Sequence, residues 1–183
     1  MTTIIFDGKS KKLYTDTQYS VVDIDGKIID TFTGVKIWKK NGNICAGTGS
    51  KVVVDLMHDL LHAMSLKFLG WTFFWFIDNQ HDNSFSSADD SLSHVIAIRK
   101  SKPTVYEFHS KIKRLQLFRK PFSVMTVKAK LVPINYDLPR IFMGSGQDYA
   151  SDYMNKGHDP ATAIKMTAEH DSFTNDLVDE VEV

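Results

Sequence analysis

Asn43-Ile44-Cys45-Ala46-Gly47-Thr48-Gly49-Ser50-Lys51-Val52-Val53-Val54-Asp55-Leu56-Met57 is the stretch in which the hydrophobic period of this chain changes. Asn43 to Ala46 is a short β-favouring run, and Ala46 to Ser50 is a glycine-rich turn. From Lys51 to Lys67, Val53, Leu56, Met57, Leu60, Leu61 and Met64 follow the i, i+3, i+4 spacing of a helix with one apolar face. A strand that turns directly into an amphipathic helix needs a sheet for that helix to cover.

Upstream, Asp7-Gly8, Asp25-Gly26 and Asn41-Gly42 are hairpin dipeptides, because such turns need backbone at positive φ. They punctuate β-favouring runs over residues 3–6, 12–16, 19–24, 27–32, 35–39 and 43–46. Downstream, 72–77, 95–99, 105–109 and 123–132 read as strands again, and the polar stretch 78–90 reads as a loop. Helices return over 147–156, with Gly157 as C-cap, and from Asp159-Pro160 to about His170, an N-cap followed by proline at the first helical position. A short strand at 177–181 closes the order. Strands, helix, strands, two helices, strand predicts an α+β sandwich: antiparallel sheets with helices on their outer faces.

The 183 residues, 43% hydrophobic and 24% charged, suit a single domain, 1–183, with a full core. Lys+Arg and Asp+Glu are 22 each, so no global field draws the chain to nucleic acid or to a membrane. One cysteine, Cys45, leaves no internal disulfide and no cysteine-rich zinc site. The first residues meet Asp7-Gly8 too early for a signal peptide, and the apolar stretch 69–77 is far short of the ~20 residues that span a bilayer. A soluble, cytoplasmic protein is expected.

Three segments, in this order and at this spacing, resemble the proteasome β-subunit family and its bacterial relative HslV, a branch of the Ntn hydrolases. The first is Thr2-Thr3-Ile4-Ile5 behind Met1, followed by Tyr14-Thr15-Asp16-Thr17-Gln18. The second is Gly34-Val35-Lys36-Ile37. The third is Gly144-Ser145-Gly146-Gln147-Asp148-Tyr149-Ala150 with Asp171-Ser172-Phe173-Thr174 behind it. The match covers roughly 2–67 and 140–183, while 71–136 diverges from the family. The resemblance implies the four-layer α-β-β-α sandwich of that family. It also implies an N-terminal threonine peptidase or amidohydrolase that needs no cofactor or metal. Its members are homo-oligomers that form rings around their active sites, often served by an ATPase unfoldase, and they act on peptide or unfolded protein. The setting would be bacterial, or the host cytoplasm if the chain is phage-encoded.

An amino-terminal threonine carries nucleophile and base on one residue, since the α-amine, with a pKa near ~8, accepts the hydroxyl proton. Met1 ahead of a small residue is a favourable substrate for aminopeptidase, so Thr2 is expected to become the terminus. By resemblance, Lys36 lowers the amine pKa by like-charge repulsion, Asp16 holds Lys36, and Ser145, Asp171 and Thr174 orient the amine. Gly49 and Ser50 are the expected oxyanion amides, with Ser50 standing where the family has glycine. That departure keeps a second reading open, a catalytically inactive proteasome-like binding or assembly protein.

Each residue also has an ordinary reading: β-formers at 2 and 3, a turn aspartate at 16, a solvated lysine at 36, an N-cap at 145 and a helix-end cap at 171. Only their joint order favours a site. His58 and His62 stand at i, i+4 as in zinc hydrolases, but Asp59 replaces the glutamate base, and a solvated polar face is the simpler account. The basic run Lys111, Lys113, Arg114, Arg119 and Lys120 reads as a solvated strand or hairpin surface, or an interface between subunits, rather than a nucleic-acid patch. Trp71, Phe73, Phe74, Trp75 and Phe76 read as a buried strand covered on both faces, or as a contact between subunits.

Overall fold

Strand β1 (Thr3–Asp7) sorts its side chains between two apolar clusters, as the two-residue period of a strand dictates. Ile4 and Phe6 meet Leu13, Ile44, Ile96, Ile98 and Met143 on one side. Ile5 meets Tyr14, Ala150, Met154, Ala163 and Ile164 on the other. The whole of β1 is buried, because both of its faces are covered. The computed structural model describes residues 2–23, 25, 27–40, 42–63, 72–77, 90–100, 102–117, 120–134 and 139–183.

The chain continues through β2 (Lys12–Asp16), β3 (Gln18–Val22), β4 (Ile28–Thr33), β5 (Ile37–Lys40), β6 (Asn43–Thr48) and helix α1 (Lys51–Ala63). Then come β7 (Thr72–Ile77), β8 (Ser91–Arg99), β9 (Lys102–Leu117), β10 (Lys120–Val132) and β11 (Arg140–Gly144). Helices α2 (Gln147–Asn155) and α3 (Pro160–Thr167) precede the last strand, β12 (Val178–Glu182). Among the described residues the strands form a four-stranded sheet, β11-β1-β2-β12, a six-stranded sheet, β5-β6-β8-β9-β10-β7, and the two-stranded ribbon β3-β4. All pairings are antiparallel.

Helix α1 packs Val53, Val54 and Met57 onto Cys45, Val95, Ala97, Phe108 and Val127 of the six-stranded sheet. Each such side chain, fully buried, contributes on the order of 1.5–3 kcal/mol. Helices α2 and α3 cover the four-stranded sheet through Ala150, Met154, Ala163 and Ile164. The result is a mostly-β sandwich with three helices among the described residues, in which β7–β10, the segment that diverges in sequence, belong to the same sheet as β6.

Several expectations shift. Helix α1 is described as Lys51–Ala63, and the rest of the helix expected to Lys67 lies outside the described residues, as does 78–89 of the expected loop. Helix α3 ends at Thr167, with turns to His170. Asp7-Gly8 is not a two-residue hairpin: the turn spans 8–11 and its positive φ falls on Lys11 at 53°. It is organised by the Asp7 carboxylate, which accepts from the Ser10 hydroxyl at 2.7 Å. Strand β11 was not expected at all. Of the aromatic run on β7, at the sheet edge among the described residues, Phe73 is half-buried and Phe74 is 64% exposed, so this chain alone does not cover both faces there, and Trp71 and the side chains of Trp75 and Phe76 lie outside the described residues. His58 is not on a solvated face either, since its ring lies 4.9 Å from that of Trp38 and its side chain is 13% exposed. The side chains of His62, Arg114 and Lys120, and all of Arg119, lie outside the described residues. No helix among the described residues is long and apolar enough to cross a membrane.

Candidate active site

Thr2 precedes β1, Asp16 ends β2, and Lys36 sits between β4 and β5. Antiparallel pairing of β1 with β2 puts Ile4 opposite Thr15, which brings the start of one strand beside the end of the other. All three side chains are buried: Thr2 and Lys36 are 2% exposed and Asp16 not at all. The Asp16 carboxylate accepts four donors. Oδ1 receives the Thr2 hydroxyl and, at 2.7 Å, the Thr3 N–H. Oδ2 receives the Lys36 ammonium and the Gln18 N–H, both at 2.9 Å. Lys36 Nζ also donates to Thr2 Oγ1, closing a triangle of ammonium, hydroxyl and carboxylate.

Burial pulls the Lys36 ammonium below the ordinary lysine value, opposed by the charge and hydrogen bond of Asp16 and by the charge of Asp171. The Tyr19 ring lies 5.2 Å from Lys36 Nζ, within cation–π range. Tyr19 donates its hydroxyl to the Val35 carbonyl at 2.9 Å, which ties β3 to the residue beside Lys36. Burial, with Asp55 and Asp16 nearby, pushes that phenol up to about 12, so it remains a donor.

A second network lies under Thr3. Asp171 Oδ2 accepts from Ser145 Oγ at 2.6 Å and from Thr174 Oγ1 at 2.7 Å. Because Thr174 spends its proton there, its oxygen accepts from Thr3 Oγ1, also at 2.7 Å. The Ser145 N–H donates to the Thr2 carbonyl at 3.1 Å. That approach requires Gly144, which stands at φ +98° with its missing Cβ position only 1.6 Å from the Thr2 oxygen. Thr2, Asp16 and Lys36 thus meet in one cluster, and Ser145, Asp171 and Thr174 in the other.

A pocket of about 340 Å³ opens beside Thr2 and Lys36, walled by Val22, Trp38, Gly47 and Val54. A larger one, about 740 Å³, runs past Leu92, His94, Phe142 and Ser145. Thr48 and Gly49 line both. At this ridge the N–H of Ser50, one of the two expected oxyanion amides, donates to Ser93 Oγ at 3.0 Å, which turns it toward β8. The sequence reading missed Ser93, because it started that strand at Val95, and it missed Tyr19 as a partner of Lys36.

No family model and no curated protein matches the sequence. Solved structures do match the fold. HslV from Trypanosoma brucei aligns over 98% of this chain and 98% of its own at 14% identity, with a TM-score of 0.56. Thiobacillus denitrificans BPH, solved in complex with epoxomicin, aligns over 98% and 97% at 14% identity and TM-score 0.51. The Anbu (Gly-1) mutant from Hyphomicrobium sp. strain MC1 aligns over 100% and 82% at 9% identity and TM-score 0.53. The chain therefore has a fold similar to that of HslV.

Proposed function

We propose that this chain is an N-terminal threonine peptidase or amidohydrolase, active once Met1 has been removed. The observation that carries the reading is the buried triangle of Thr2 hydroxyl, Lys36 ammonium and Asp16 carboxylate. A hydroxyl at the second residue that pairs a buried carboxylate, accepts from a buried ammonium and borders a pocket is placed for chemistry as well as for packing.

In this reading the Thr2 α-amine takes the hydroxyl proton as Oγ1 attacks a substrate carbonyl. Lys36 keeps that amine's pKa low and favours the negative oxygen, and Asp16 keeps Lys36 charged. The Gly49 N–H receives the oxyanion, a donor worth ~3–4 kcal/mol of barrier. Collapse expels the leaving amine, which takes the proton from the α-ammonium, and water then hydrolyses the ester on Thr2. The network of Ser145, Asp171 and Thr174 orients the amine. Pockets on both sides of Gly49 suit a polypeptide that crosses the ridge, with the acyl side over the smaller pocket. The finer architecture goes with this proposal: four α-β-β-α layers in one domain, assembled as a cytoplasmic homo-oligomer, with a ring and an ATPase unfoldase as the family resemblance implies.

Intact mass after treatment with a β-lactone or an epoxyketone tests it. Protein lacking Met1 should gain one adduct per chain, mapped to Thr2, and Thr2→Ala should gain none. Unlabelled protein with a free Thr2 would leave the rival reading, a binding or assembly protein without catalysis, for which the Ser50 amide turned toward Ser93 is the favouring observation.

A further inference from the structure

Ser93 lies on β8, fully buried, with its hydroxyl beneath the turn that joins β6 to α1. Three observations converge on it. Its Oγ accepts the Ser50 N–H at 3.0 Å. Gly49 stands at φ +109°, where a Cβ would lie 2.5 Å from Ser93 Oγ and 2.7 Å from the Leu92 carbonyl, so the turn is pressed against β8. Gly49 also forms the ridge between the two pockets, one of which holds Thr2. Only the φ and ψ of Gly49 separate its own N–H from that of Ser50, so with that residue pressed against β8, fixing one amide fixes the other. A buried hydroxyl that accepts the second amide therefore sets the direction of the first.

We infer that Ser93 is a positioning residue for the oxyanion site, holding the Gly49 amide on Thr2 by clamping the Ser50 amide behind it. The inference rests on the peptidase reading above. It gives the departure at Ser50 a physical sense: a side chain is tolerated there because the turn is restrained from behind by Ser93 instead of being left to a second glycine. Ser93 touches no substrate, so its removal should misdirect a donor without altering the pockets. Loss of one oxyanion donor costs ~10²–10³ in rate, and misplacement costs part of that.

The experiment compares wild type, Ser93→Ala, Ser93→Thr and the control Ser110→Ala, another fully buried serine of the same sheet. Three quantities are read: the rate of Thr2 acylation by a β-lactone, kcat and KM on a fluorogenic peptide, and amide hydrogen exchange over residues 48–51. Ser93→Ala should slow acylation and kcat by about 10- to 100-fold, with KM within about twofold, and speed exchange at Gly49 and Ser50. Ser93→Thr, which keeps the acceptor, should restore the rate, and Ser110→Ala should leave it unchanged. Acylation by Ser93→Ala at the wild-type rate overturns the inference, as does an equal slowing in Ser110→Ala. If wild type with a free Thr2 is not acylated, the peptidase reading fails, and exchange alone decides the clamp: faster in Ser93→Ala supports it, unchanged overturns it. Should Ser93→Ala not fold, Ser93→Cys, a weak acceptor, should give a smaller slowing, and a wild-type rate there counts against the clamp.

Discussion

Replacing Lys36 with methionine keeps the volume of the side chain and deletes its charge beside Asp16. Asp16 is fully buried and its Oδ2 lies 2.9 Å from the ammonium, so water cannot take the cation's place without opening the site. Breaking a buried pair by removing one partner costs about 3–5 kcal/mol. The Thr2 hydroxyl and the N–H groups of Thr3 and Gln18 still reach the carboxylate, which places the expected loss near the lower end, about 3 kcal/mol. For a chain of this length that is a fall of roughly 6–12 °C in thermal midpoint. Thermal and urea unfolding of wild type, Lys36→Met, Asp16→Asn and the double variant give the coupling energy directly. We expect at least about 2 kcal/mol, since the double variant leaves no unpaired charge in the site. Effects that add to within about 0.5 kcal/mol would refute the reasoning, because Lys36 and Asp16 would then not act as a unit. Labelling of Thr2 in Lys36→Met should be lost whatever the coupling.

The pH dependence of the peptidase rate should be bell-shaped, rising as the Thr2 amine loses its proton and falling as Lys36 loses its own. Burial holds Lys36 below its ordinary value of 10.5, so the fall should come before that pH, and a rate flat through 10.5 would contradict it. The same depression makes the unfolded chain bind more protons than the folded one between the two values, so stability should rise with pH across that window, and Lys36→Met should lack the rise. Gly144→Ala should cost about 1–3 kcal/mol for its backbone conformation alone, and more for the contact with the Thr2 carbonyl. A wild-type melting curve and full Thr2 labelling in that variant would mean that the Gly144–Thr2 approach is not needed.

The elements legible in the sequence are those in which one face is buried and the other wet. Helix α1 announces itself by Val53 and Met57 against a polar face, and α3 by Asp159, whose carboxylate accepts the Thr162 N–H at 3.1 Å ahead of Pro160. Strand β11 does not, because Met143 faces one cluster while Phe142 faces another, and a strand covered on both sides has no alternation to read. The start of β8 was hidden for the opposite reason. Ser91 and Ser93 look like loop residues, and they tolerate burial because Ser91 bonds the Ser110 hydroxyl at 2.7 Å and Ser93 accepts from Ser50. Hydrogen bonds between segments distant in sequence leave no periodic trace. Thr2, Asp16 and Lys36 could be named as a set only through their resemblance in order to a known family, for nothing local distinguishes Lys36 from a solvated strand lysine.

Thr2 is held in place by bonds that spare its nitrogen. Its carbonyl is held by the Ser145 N–H, the next amide by Asp16, and its hydroxyl by Asp16 and Lys36. Each of these bonds uses an atom other than the Thr2 nitrogen. The geometry around the nucleophile is therefore fixed by strand pairing, by the approach at Gly144 and by a buried ion pair, and it does not wait for a free α-amine. Removal of Met1 would then supply a base to a site already organised, changing its chemistry without rebuilding its structure. Catalysis by Thr2 would depend on freeing its α-amine, while the fold that positions it depends on contacts spread from Thr3 to Thr174.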